Sequence, residues 1–301
     1  METKVMGVLR PAPDAFADSD RSLRRAAVDR GRRMIAGGAD IVEIACTPCH
    51  AGHRTATPRA TEARQAQQVT DLVGALAGDV RVAVATGSPE LAAAGAAAGA
   101  TLICDRSMSP SAPGGTAPDP SAAEAAREGL IAVAAGTAAG WVAVHAAAAA
   151  PPAGEPREPA DRGAGSLILA EALESLRAEV DRASAAGLGE IYLDAGIGCG
   201  RAGEEDLDLL GRLGSLAALG RPLVVGTGDG RLIDELHAAA DARALPAAGS
   251  PGDHHSERLE GALVVAVWAM LAGAAVLRTQ HVAATVQAAR IVGAKEPVGT
   301  P

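Results

Sequence analysis

The sequence predicts a single (β/α)8 barrel over residues 1–301, with long loops at the C-terminal face of its sheet. Three observations carry that expectation. Apolar runs of four to six residues recur eight times, each leads through a polar or glycine-rich stretch into a segment with helical spacing, and the runs are apolar on both faces. Strands buried on both faces and alternating with helices belong to parallel sheets, and eight such units fit a closed barrel.

In chain order, the first strand, 4–9, precedes a helix over 22–36, and the second, 41–45, precedes one over 62–77. The third strand, 81–86, runs into a helix over 89–98, where Pro89 and Glu90 after Ser88 suit a first turn. The fourth strand, 101–105, and its helix, 122–134, are separated by a stretch rich in Pro, Gly and Ala over 107–120. A similar stretch, 147–163, divides the fifth strand, 141–145, from a helix over 166–186 for which Ser166 can serve as N-cap. Both stretches read as long mobile loops above the barrel face. The sixth strand, 191–194, precedes a helix over 204–219, and Gly187 and Gly220 stand where helices should stop. The seventh strand, 222–226, the helix 256–271, the eighth strand, 275–278, and the helix 281–292 complete the set.

Composition narrows the chemistry. Hydrophobic residues make up 48% of the chain and aromatics only 1%, so the core is built from Ala, Val, Leu and Ile. Phe16, Trp141, Tyr192 and Trp268 are the only Phe, Tyr and Trp residues, which leaves a flat ligand few stacking partners. The formal charge of −9 argues against a nucleic-acid backbone or an anionic membrane as the main partner. With no long uninterrupted apolar run and no signal-peptide order at the N-terminus, a cytoplasmic protein is expected, its four cysteines reduced.

In such a barrel the chemistry lies where the strands end. Residues 191–201, IYLDAGIGCGR, deliver the carboxylate of Asp194 from a buried strand into a loop with glycines at alternate positions, 196, 198 and 200. The other strand ends bring Arg10, Cys46, Ala85, Cys104, Asp105, His145, Arg278 and His281 to the same face. Arg10, Arg231, Arg278 and His281 are a candidate anion site, because guanidinium groups grip phosphate or carboxylate bidentately. The segment CTPCHAGH places Cys46, Cys49, His50 and His53 close together, a CxxC spacing that suits a metal but lacks a second CxxC. CxxCH is also the c-type haem attachment pattern, yet that haem is attached outside the cytoplasm and no export signal is present. Free cysteines filling space as small apolar residues explain the same segment.

Several of these strand ends resemble the dihydropteroate synthases and the wider pterin-binding barrel family. The segment from Met6 to Asp18 is similar to the family's first-strand signature, Ala39 to Ile44 to its second strand, Leu193 to Gly200 to its sixth-strand motif, and Arg278 with His281 and Val282 to its eighth-strand end. The resemblance implies a homodimeric transferase: a pterin methyl diphosphate loses diphosphate, helped by magnesium, and the amine of 4-aminobenzoate attacks the resulting cationic carbon. It assigns Asp194 to the pterin ring and Arg278 to the pterin and diphosphate; Arg10, which departs from the family, is expected to act as a built-in substitute for the metal that stabilises the leaving diphosphate. Asp105, His145, Gly196, Gly198, Gly226, Arg231 and His281 are then expected to line the substrate, with no organic cofactor.

The chain also departs from the pattern. Arg10 replaces the first-strand asparagine associated with magnesium, and a fixed cation there would repel the metal. Ala85 replaces an aspartate, Cys104 a pterin-contacting asparagine and Cys199 a phenylalanine. Gly230 falls at the position of the seventh-strand lysine, with Arg231 one place later. Pro48, Cys49 and His50 stand for a Ser-Thr-Arg group. Two further readings stay open: a repurposed barrel enzyme with an altered substrate or a metal held by Cys46, Cys49 and His50, and a ligand-binding homologue without catalysis.

Overall fold

A computed structural model describes residues 3–10, 21–46, 59–108, 119–145, 164–198, 201, 203–227, 232–233 and 254–293. The strands are β1 (Lys4–Leu9), β2 (Ile41–Ala45), β3 (Arg81–Thr86), β4 (Leu102–Asp105), β5 (Gly140–Val144), β6 (Ile191–Asp194), β7 (Leu223–Gly226) and β8 (Val276–Thr279). They pair in chain order, all parallel, and β8 returns to β1 to close the barrel. Among the described residues the helices are α1 (Arg21–Ala36), α2 (Arg59–Leu76), α3 (Pro89–Ala97), α4 (Pro120–Thr137), α5 (Ala164–Ala185), α6 (Gly203–Gly211), α7 (Leu213–Ala217), α8 (His254–Leu271) and α9 (Val282–Gly293).

Side chains alternate across each strand, so every strand feeds two cores. Met6, Ile41, Ala83, Leu102, Val142, Tyr192, Val224 and Val276 meet inside the barrel. The opposite set packs outwards: Val5, Leu9, Val42, Ile44, Val82 and Val84 lie against α1, α2 and α3, while Ile103, Trp141, Leu193 and Leu277 belong to the larger outer cluster. Gly7 is what lets α1 and α9 press onto β1, since a Cβ there would stand 2.9 Å from Val282 and 3.1 Å from Met34. At the N-terminal mouth Arg81 grips both oxygens of Glu190 at 2.7 and 2.6 Å, and the Tyr192 hydroxyl donates to the same carboxylate. That plug closes the end of the barrel that reads as stability rather than chemistry.

The expected helix over 204–219 is two helices, broken at Arg212, where the backbone leaves the helical region (φ −116°, ψ 16°). Ser166 does not cap α5, which already begins at Ala164. Ser88 does introduce α3, its hydroxyl accepting from the Leu91 N–H. The capping residue of α4 is Asp119, whose carboxylate takes the N–H groups of Ser121 and Ala122, so the helix starts at Pro120 rather than 122. Residues 109–118 of the expected loop 107–120, and the whole of the expected loop 147–163, lie outside the described residues. No helix among the described residues is long and apolar enough to cross a membrane.

Candidate active site

Inward positions towards the C-terminal mouth include Glu43 on β2, one layer below Ala45, with Ala85 on β3, Cys104 on β4, Val144 on β5, Asp194 on β6, Gly226 on β7 and Arg278 on β8. Two of them form the centre of the site. Arg278 Nη1 lies 2.6 Å from Asp194 Oδ2, and both side chains are buried. Asp194 Oδ1 accepts the N–H of Gly196 at 2.8 Å, which fixes the carboxylate plane. Each oxygen keeps a second lone pair for an incoming donor.

The glycines after β6 are there for geometry. Gly196 and Gly198 have φ of +68° and +80°, in the region that costs other residues a Cβ clash. A Cβ on Gly196 would also meet the His145 carbonyl oxygen at 2.1 Å. Gly198 N–H donates to Asp206 Oδ2 at 2.8 Å, and Arg201 Nη1 donates to the carbonyls of Ala195 and Gly196. Asp206 stands 3.9 Å from the same guanidinium. The loop is thus clamped from behind by a buried Asp206 and Arg201, and its front carries Asp194.

Glu43 and Cys104 lie across the mouth from that loop. Glu43 Oε2 is 4.0 Å from Arg278 Nη1, and the Cys104 thiol is hydrogen-bonded to the Glu43 carboxylate. Burial, and then the Glu43 charge, push Cys104 well above the ordinary thiol range, against the pull of Arg106 and Arg278. Burial and the same carboxylate take Cys46 to about 12. Both thiols stay protonated near neutral pH, and Cys46 points its S–H at the Ile44 carbonyl.

The remaining expected residues separate. Gly226 sits beside the Arg278 guanidinium, where a Cβ would come within 3.4 Å of Nη2. His145 follows β5, its N–H donating to the Asp194 carbonyl; burial first, then the charge of Arg201, lower its imidazole to about 4 despite the opposing charge of Asp194. Asp105 faces outwards instead: its Oδ2 pairs with Arg127 of α4 at 2.9 Å and its Oδ1 accepts from the Ser107 N–H. Strand alternation explains this, because Cys104 takes the inward place. His281 opens α9 with its N–H held by the Thr279 hydroxyl. Arg10 lines a cavity of about 290 Å³ between β1, α1 and α9, with Arg30, Arg33 and Gln280. Arg231, Cys49, His50, His53 and Cys199 lie outside the described residues, so the anion set is seen only at Arg10, Arg278 and His281.

No group of three His, Cys, Asp or Glu side chains arranged to hold a metal occurs among the described residues. Magnesium needs hard oxygen donors. The two Asp194 oxygens are instead engaged by Arg278 and the Gly196 N–H, and β1 is followed by a guanidinium, that of Arg10. The sequence reading left Glu43, Arg106 and Arg201 out of the site. Glu43 had a signal, a charge inside the apolar run IVEIA at an inward position; Arg201 had one too, the first long side chain after the glycines.

Residues 6–280 match the family described as pterin binding enzymes. A dihydropteroate synthase of Mycobacterium leprae is 31% identical over 295 residues, which span 97% of this chain and 93% of that one. Among solved structures, a dihydropteroate synthase from Xanthomonas albilineans in complex with 7,8-dihydropteroate is 26% identical, with a TM-score of 0.68 and coverage of 98% and 95%. The same organism's enzyme with 4-aminobenzoic acid is likewise 26% identical, with a TM-score of 0.71 and coverage of 97% and 92%. The match runs from β1 through β8 and the likeness takes in nearly all of both chains, so this chain belongs to the pterin binding enzyme family.

Proposed function

We propose that the chain is a transferase of the dihydropteroate synthase type, joining a pterin methyl diphosphate to an aryl amine such as 4-aminobenzoate. The buried Asp194 and Arg278 pair beneath the glycine loop carries this reading. A carboxylate held in one plane suits the guanidine-like edge of a pterin, and a cation beside it favours an anionic leaving group. The likeness to enzymes solved with 7,8-dihydropteroate and with 4-aminobenzoic acid supports the same pair of substrates.

In the reaction the bond between the pterin methyl carbon and the diphosphate oxygen breaks, and diphosphate leaves with the electron pair. The amine lone pair forms the new C–N bond, and the nitrogen releases a proton to solvent. Asp194 binds and orients the ring and stabilises positive charge developing on it. Arg278 and Arg10 meet the charge of the diphosphate. The cavity that Arg10 shares with Arg30, Arg33 and Gln280 gathers three guanidinium groups, which supports an anion there. The lack of a three-ligand metal group among the described residues, with Arg10 at the end of β1, supports fixed guanidinium groups taking over the electrostatic part of magnesium. His145, Gly196, Gly198, Gly226 and His281 shape the substrate's surroundings.

The protein works on small molecules in the cytoplasm as a homodimer, in this reading. Val264, Trp268 and Leu271 form an exposed apolar stripe along α8, which supports a subunit contact there. The test is diphosphate release from pterin methyl diphosphate and 4-aminobenzoate, with and without magnesium. Release that is lost in Arg10→Ala and Asp194→Ala is expected, and no release at high enzyme concentration overturns the proposal.

A further inference from the structure

Glu43 is a charge inside the barrel for which the fold gives no structural reason. It is 1% exposed, in the middle of a β-strand, and burying a carboxylate costs several kcal/mol unless partners compensate it. Its compensation is incomplete. The nearby cation, Arg278, lies 2.6 Å from Asp194 but only 4.0 Å from Glu43, so its charge is committed to the former. The Cys104 thiol supplies one weak donor. Oε2 has no hydrogen-bond partner among the described residues.

The side chains beside that oxygen on the neighbouring strands are small or of medium size. Its register partners are Val8 on β1 and Ala83 on β3, with Ala85 on β3 and Cys104 on β4 towards the mouth. None of these side chains extends far into the lumen. A lumen floored by two carboxylates that share one arginine presents more acceptors than donors, and a carboxylate can only accept when ionised. The complementary ligand edge is therefore one with adjacent N–H groups.

We propose that Glu43 is a second recognition carboxylate of this site, taking an N–H donor from the edge of the bound nitrogen heterocycle beside the one that Asp194 takes. The inference rests on the transferase reading above and adds a specificity determinant to it. Rings whose edge places two or more N–H donors side by side are accepted, and rings that turn a carbonyl oxygen towards Glu43 are rejected, because two acceptors then face each other without water.

Calorimetry on the full chain with 6-hydroxymethyl-7,8-dihydropterin tests this, using inorganic pyrophosphate as a second probe. Glu43→Gln keeps the side-chain volume and removes the charge. It is expected to weaken the pterin about tenfold, the loss of one charge-assisted bond, while pyrophosphate affinity holds or rises. Glu43→Asp, which withdraws the carboxylate by one methylene, is expected to fall between the two and provides a charged control if Glu43→Gln folds poorly. Pterin affinity within twofold of the parent in both variants overturns the inference and leaves the transferase reading intact. Pterin and pyrophosphate affinity falling in step also overturns it, since Glu43 would then serve only to hold Arg278. A parent protein that binds no pterin overturns the transferase reading itself and the inference with it.

Discussion

Substituting Gly196 by alanine tests the geometry of the β6 loop directly, because two separable costs arise there. The first is backbone conformation: at φ +68° an added Cβ costs roughly 1 kcal/mol or a little more. The second is steric. The Cβ would stand 2.1 Å from the His145 carbonyl oxygen, well inside the 3.0 Å that real Cβ atoms respect, and the obstacle is backbone rather than the end of a flexible chain. Opening that gap moves one of two loops by about 1 Å, an overpacking cost of about 1–3 kcal/mol. Gly187 provides the control, since its φ is +86° but nothing lies within 4 Å of the added atom. Gly187→Ala therefore reports the conformational cost alone, about 1 kcal/mol, and Gly196→Ala about 2–4 kcal/mol. In a chain of this size those values correspond to melting-temperature losses of about 2 °C and about 3–6 °C. Differential scanning calorimetry distinguishes them. Equal losses in the two variants would refute the close approach of His145 and Gly196. Because Asp194 Oδ1 is held by the Gly196 N–H, Gly196→Ala should also weaken pterin binding, whereas Gly187→Ala should not.

Three other outcomes follow from the same structure. The His145 imidazole is held at about 4 in the folded chain against an ordinary 6.5, so the unfolded chain binds the extra proton first. Its contribution to stability is complete above pH 6.5 and is lost as the pH falls from there to about 4; His145→Gln should flatten that part of a melting-temperature profile, and an unchanged profile refutes the assignment. Arg127 holds two buried carboxylates, Asp105 at 2.9 Å and Glu179 at 2.7 Å, so Arg127→Met strands both and should cost about 3–5 kcal/mol in urea unfolding. A loss below about 1 kcal/mol would mean that solvent already reaches them. Cys46 and Cys104 are buried protonated thiols, so iodoacetamide at pH 8 should leave both unmodified in the native chain and label both in urea, as read by peptide mass mapping. Native labelling of Cys104 would place it at an open mouth instead.

The barrel was legible because its signal is periodic and local. The runs KVMGVL, IVEIA, RVAVAT and IYLD form strands with the boundaries expected of them, since a segment apolar on both faces has few other ways to be buried. The helix over 204–219 was less legible: the break at Arg212 lies between Gly211 and Gly214, which a periodic apolar pattern passes over although glycine weakens a helix interior. The site was legible in part. Asp194 and Arg278 stand out as charges at the ends of strands, but that they touch each other is a long-range fact, 84 residues apart along the chain, between strands separated by β7. Asp105 misleads for the same reason in reverse. It also ends a strand, but one position along, and a period of two turns it from the lumen to Arg127.

The sequence by itself determined that eight strands alternate with helices, that a carboxylate and positive-φ glycines follow the sixth strand, and that Arg10 and Arg278 end the first and the eighth. Hydrophobic period and backbone freedom are properties of neighbours in the chain, so they can be read there. Tertiary structure alone decided which charges meet: that Arg278 is committed to Asp194, that Glu43 shares it only at 4.0 Å and receives the Cys104 thiol, and that Arg201 and Asp206 brace the loop from behind. Those pairings depend on barrel closure and strand stagger, which bring distant residues to one level, and in a dry lumen a difference of an ångström decides whether a carboxylate is neutralised or left to bind a ligand.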